Sequence, residues 1–182
     1  MKRTMKINIK HFALLLLIAA LLTSCGYHVA GRGGSVNFTG ELPGGITSLS
    51  IPIFTNVTRK AGVEAVMSTA FVDEFIATVD IKKTNEADAR LVGIVKAYDL
   101  GPVSYSRTEV VKEYRLTVVL SVRLIRASDG KIIWKDNNVS EYEDFSAVIM
   151  DVAATKDAER MALSEIALDL ARRVRERILE GS

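Results

Sequence analysis

Apolar and polar residues alternate most regularly at residues 115–125. There Leu116, Val118, Leu120, Val122 and Leu124 fall on one side of an extended chain, and Arg115, Thr117, Val119, Ser121 and Arg123 on the other. Successive side chains of a strand point to opposite faces, so this segment predicts a strand with one face in a core and the other in water or against a partner. Ser128-Asp129-Gly130 is a turn sequence, and residues 131–142, carrying Ile133 and Trp134, return as an antiparallel neighbour. Upstream, residues 91–100 predict a strand closed by Gly101-Pro102, followed at 104–110 by a polar hairpin loop with Tyr105 and Arg107 near its tip. Residues 46–54 alternate Ile46, Ser48 and Ser50 with Thr47, Leu49, Ile51 and Ile53, a first strand ending near Pro52. Residues 79–83 suit a further short strand.

Two segments change period from two to three and four. After Thr58, a residue able to cap a helix, Val63, Val66, Met67, Ala70, Phe71 and Phe75 form one apolar stripe. Residues 152–179 carry a longer stripe of Ala162, Leu163, Ile166, Ala167, Leu170, Val174 and Ile178. Asp151, Asp157 and Glu159 lie toward its start and Arg172, Arg173, Arg175 and Arg177 toward its end, a polarity that complements the helix dipole and predicts an Asp169–Arg173 pair. The order strand, helix, meander, helix predicts an α+β fold: a two-layer sandwich with two main helices on one face of a largely antiparallel or mixed sheet of about four strands.

The beginning of the chain follows neither period. Residues 1–11 hold Lys2, Arg3, Lys6 and Lys10 without an acidic residue, and 12–22 are an apolar run. Eleven apolar residues are short of the roughly 20 that span a bilayer as a helix, so the segment reads as a processed signal. Leu22-Thr23-Ser24-Cys25 has the form of a lipoprotein cleavage site, with Cys25 as the acylated first residue of the mature protein and Gly26 favouring an outer-membrane destination. Several acyl chains, at about 0.8 kcal/mol per buried methylene, make such an anchor effectively permanent. Residues 1–24 are thus expected to be the cleaved signal and 25–45 a lipid anchor and glycine-rich tether. Residues 46–182 are expected to form a single domain.

Removing that leader changes the charge. The chain has 24 basic and 22 acidic residues, but residues 1–24 hold four of the basic ones, so the remainder carries 20 against 22, a net −2. A phosphate-backbone ligand calls for a net cationic surface, which speaks against nucleic acid as a partner. The only cysteine is the acylated one, so stability rests on a packed core rather than a disulfide. His11 leaves with the leader and His28 lies in the tether, which leaves no residue for a histidine-based catalytic site. No Cys/His cluster has metal-ligand spacing, and Glu141, Glu143 and Asp144 read as a solvated rim rather than a cation site. The expectation is no enzyme, no cofactor and no metal.

Several of these stretches together resemble a known family. They are Cys25-Gly26-Tyr27-His28, the run Ile51-Pro52-Ile53-Phe54-Thr55-Asn56-Val57-Thr58, Glu113-Tyr114-Arg115-Leu116-Thr117, Asp129-Gly130-Lys131-Ile132-Ile133-Trp134, and the late Ala/Leu-rich helix. In this order they are similar to the lipopolysaccharide-assembly lipoprotein LptE family over nearly all of the mature chain. The resemblance implies a lipid-anchored plug and assembly factor of the outer-membrane β-barrel LptD, assisting lipopolysaccharide transport to the outer leaflet, with no catalysis. It also implies lipopolysaccharide contacts at Arg107 and Lys156. A periplasmic lipoprotein serving another envelope complex is the alternative.

Overall fold

The computed structural model describes residues 41–105, 111–148 and 151–181. Six strands and two helices follow in the order β1 (Ser48–Ser50), β2 (Thr55–Asn56), α1 (Val63–Phe75), β3 (Asp80–Ile81), β4 (Ala89–Tyr105), β5 (Val111–Arg126), β6 (Ile132–Ser146) and α2 (Val152–Glu180). They form one mixed sheet of order β3-β1-β4-β5-β6, with β2 also on β4. β1, β2 and β3 pair in parallel, whereas β4, β5 and β6 form an antiparallel meander. Both helices cover the same sheet face. The α+β expectation holds, with six strands among the described residues instead of about four, because the opening strand is broken into β1 and β2 and the short segment at 79–83 joins the same sheet as β3.

The alternation in β5 sorts as expected. Leu116, Val118, Leu120, Val122 and Leu124 are all fully buried, and each such burial stabilises by about 1.5–3 kcal/mol. They meet Ile166, Leu170, Val174 and Ile178 of α2 in one core with Val63, Met67, Phe71 and Phe75 of α1. Phe54 completes it by lying against Gly93 of β4: a Cβ there would sit 2.3 Å from the ring. Its other side meets Phe71, with ring centroids 4.9 Å apart.

Four local readings differ. First, the predicted opening strand splits into β1 and β2, because Pro52 has no N–H to give and the chain turns out of the sheet. The Phe54 N–H is taken instead by Ser68 Oγ at 2.8 Å, whose own hydroxyl donates to Glu64 O. Ser48 and Ser50 are buried rather than wet. Second, Thr58 is not the cap of α1, whose N-cap is Gly62 at φ 88° with no side-chain bond. Thr58 donates through its N–H and hydroxyl to Asn56 Oδ1, so the capping signal is spent on a turn before the helix.

Third, Gly101-Pro102 does not close β4, which runs on to Tyr105. Past Val95 this strand has only β5 beside it among the described residues, so Pro102 leaves no ladder bond unmade on the open side, and the register shifts around it. Tyr105 of the predicted loop is therefore in a strand, while Arg107 lies outside the described residues. Fourth, Asp169 pairs with Arg172, not Arg173. Arg173 reaches Glu141 and the Ser140 carbonyl on β6, Arg175 reaches Glu74 on α1, and Arg177 reaches Asp136 on β6. The cluster clamps α2 to its neighbours in addition to complementing its dipole.

β1 depends on one carboxylate. Asp88 Oδ2 accepts from Thr47 N and Oγ1 and from Ser48 N and Oγ at 2.8–3.2 Å, and these bonds hold its carboxyl below the usual aspartate range. Asp88→Ala is expected to cost about 1–3 kcal/mol by leaving donors of a buried strand unmet, which would be read as a lower denaturant midpoint at unchanged m.

Candidate functional site

A groove of about 410 Å³ opens where the start of α1, the middle of β4 and the first turns of α2 meet. Each element delivers its residues for a local reason. The loop after β2, fixed by the Asn56 bonds to Lys60 O and Glu64 Oε2, places Lys60 at the rim. Gly62 takes up the positive φ that starts α1 and leaves the groove floor without a side chain. Tyr98 comes from β4 just after the bulge between Val95 and Ala97. α2 starts at Asp151, whose carboxylate accepts from Ala154 N, and Lys156, Glu159, Arg160 and Leu163 then line one helix face.

Glu159 is the centre of the polar wall. Its Oε1 accepts from Tyr98 Oη at 2.5 Å and from Lys60 Nζ at 2.7 Å, and Lys60 also lies 5.4 Å from the Tyr98 ring centre. Partial burial pushes the Glu159 carboxyl upward. The bonds from Lys60 and Tyr98 and the charges of Lys60 and Lys156 outweigh it, so the group ends below the ordinary glutamate value. Burial, then the bond to Glu159 and its charge, push the Tyr98 phenol well above its usual value, and it stays a donor at neutral pH. Arg160 is paired with Asp157. Lys156 is exposed at the mouth and, among the described residues, has no ion-pair partner. Apolar walls of Ala61, Val66 and Leu163 beneath a cationic mouth suit an amphipathic anion better than a chemical step.

Of the residues singled out in sequence as site candidates, Lys156 falls in this groove. Cys25 and Arg107 lie outside the described residues. Glu141 and Asp144 of the acidic rim are matched by Arg173 and Arg115, and no group of three potential metal ligands occurs among the described residues. Lys60, Tyr98 and Glu159 are not site candidates by sequence. Their only trace there is the spacing of Lys156, Glu159, Arg160 and Leu163, since Lys60 and Tyr98 come from distant segments.

A family model described as lipopolysaccharide-assembly, LptE, matches residues 46–178, most of the chain and all but the end of α2. The chain belongs to the LptE family. Membership makes it an envelope-associated lipopolysaccharide-assembly protein in the general sense of that family. No curated protein matches the chain. Among solved structures, uncharacterized lipoprotein B from Nitrosomonas europaea superposes with a TM-score of 0.56 at 14% identity, over 83% of this chain and 92% of that one. A protein from Caulobacter crescentus described as a lipoprotein gives 0.53 at 14%, over 70% and 88%. At such identity these two share the fold of this LptE-family chain and carry nothing further. No helix among the described residues is long and apolar enough to cross a membrane.

Proposed function

We propose that this chain is a non-enzymatic outer-membrane lipoprotein, anchored through Cys25, that plugs and helps to assemble an LptD-type β-barrel and touches lipopolysaccharide as it passes. The match to the LptE family over residues 46–178 carries this reading. The groove supports it: a phosphate on a lipid headgroup fits beside the unpaired Lys156 ammonium, and acyl carbon fits the walls at Val66 and Leu163, while the family resemblance alone adds Arg107 as a second cation.

Lys156→Glu together with Arg107→Glu is expected to lower lipopolysaccharide binding by the purified domain roughly ten-fold or more, the loss of a charge-assisted contact. The same variant should still co-purify with a large β-barrel from solubilised outer membranes. Unchanged lipopolysaccharide binding would remove both residues from the site. A tagged wild-type protein that brings down no barrel would instead point to a lipoprotein module of another envelope complex.

A further inference from the structure

The helices cover one face of the sheet, and no described element covers the other. Pairing sorts the residues of that open face into cross-strand rows. Val92, Arg123 and Lys135 form one row, with Arg123 directly opposite Lys135, and Arg90 opposite Ile125 forms the next. Beyond them lie Ile94 and Ser121, then Ala97, Val119 and Ser140.

Directly opposed side chains in a sheet have Cβ atoms about 4.5–5.5 Å apart, and like charges at that distance are destabilising. Arg123 beside Lys135, with Arg90 of β4 diagonal to Arg123, is therefore a placement that folding alone does not favour. Every arginine of α2, by contrast, has a carboxylate: Arg160 on Asp157, Arg172 on Asp169, Arg173 on Glu141, Arg175 on Glu74 and Arg177 on Asp136. Among the described residues Arg90, Arg123 and Lys135 have neither an ion-pair nor a hydrogen-bond partner for their side chains. Farther along the open face the positive charge is not in excess: Arg115 is held by two bonds to Asp144 and stacks 4.2 Å from the Tyr142 ring centre, and Asp99, exposed opposite Thr117, adds a carboxylate. The unmatched positive charge is gathered at the end nearest β1.

The geometry selects the kind of partner. Side chains on a sheet stand roughly perpendicular to it, on strands about 4.8 Å apart, so these three cations spread over a plane instead of converging on a single phosphate. Val92, Ile94, Val119 and Ile125, all half-buried, lie in the same rows. Arginine and aliphatic side chains mixed on a flat face is the composition of a protein–protein interface.

We infer that the open sheet face, through Arg90, Arg123 and Lys135, is the surface on which an acidic protein wall docks, and that this wall is the inner surface of the barrel partner. This rests on the plug reading above. The barrel contributes aspartate or glutamate opposite the three cations, and Val92, Ile94, Val119 and Ile125 pack against its apolar positions.

The test uses full-length lipoprotein in outer membranes. A carbodiimide, which joins an ammonium to a carboxylate without a spacer, is expected to link Lys135 to an Asp or Glu of the co-purified barrel, identified by mass spectrometry. Arg123→Glu with Lys135→Glu is expected to reduce barrel co-purification at least ten-fold, with wild-type retention falling as salt rises. Thermal unfolding of the Glu variant should stay close to that of wild type, since one like-charged pair replaces another, and Arg123→Ala with Lys135→Ala, which removes the pair, should unfold no lower than wild type and show an intermediate loss of the barrel. Undiminished retention of the barrel by the Glu variant, with wild type also retaining it, overturns this inference and leaves the plug reading intact. So does a variant that keeps the barrel while losing binding to phosphatidylglycerol vesicles, which assigns the face to a membrane surface. A wild type that retains no barrel overturns both.

Discussion

Phe54→Ala is expected to be the most damaging single change in the domain, costing about 3–5 kcal/mol, the range for removing a buried phenylalanine. The ring is 3% exposed, lies on Gly93 and contacts Phe71, so its loss opens a cavity where the β1–β2 connection crosses β4 and α1. The reciprocal change tests the same contact. Gly93→Ala puts a methyl inside the Phe54 ring and should cost about 1–3 kcal/mol through overpacking. In the double variant the methyl introduced on β4 enters space that the Phe54 ring has left, so the two losses should fall short of their sum, with a coupling measurable in a denaturant double-mutant cycle. Additive losses would mean that the two sites relax independently.

Glu159→Ala is expected to have the next largest effect. It leaves Tyr98 Oη without its acceptor and Lys60 without its counter-charge, at a cost of about 1.5–3 kcal/mol for the charged hydrogen bonds, read as a lowered Tm. The wild type should show the same interaction through pH. The folded carboxyl of Glu159 lies below its unfolded value of about 4.3. Its contribution is therefore complete above that value and disappears as pH falls through the lower folded value. Asp88 and Asp144 are depressed in the same direction by their hydrogen bonds, so acid unfolding of the wild type should be steep below about pH 4. The stability curve of Glu159→Ala should be flatter there. Identical acid limbs would show that Glu159 is not held more tightly folded than unfolded.

The long antiparallel part of the fold is readable because period two persists through residues 115–125 and period three to four through both helices. β1 is not readable as it stands. Its three residues are all buried, Ser48 and Ser50 through bonds to Asp88 and Thr84 that no local pattern announces. Thr58 misleads for a related reason: a threonine before an apolar stripe has the form of a cap, but Asn56 two residues earlier competes for it and wins. In the groove, Lys156 stands out through a family resemblance, whereas Tyr98 and Lys60 meet Glu159 only through contacts of 61 and 99 residues in sequence. The basic open face is partly legible. The alternation of β5 puts Arg123 on the side away from the core, but its opposition to Lys135 depends on a register that a shift in β6 sets.

The unequal halves of the sheet bear on the order in which the molecule assembles. β4, β5 and β6 are consecutive in the chain and zip locally, whereas β1 finds β4 only after a loop of some 40 residues has been closed. The meander and the helix that follows it, α2, are thus the natural nucleus. β1, α1 and β3, held to it by short parallel ladders, the Asp88 bonds, the Phe54 wedge and the core that α1 shares with α2, are expected to dock last and open first, which would be read as weaker native-state amide protection in β1 than in β5.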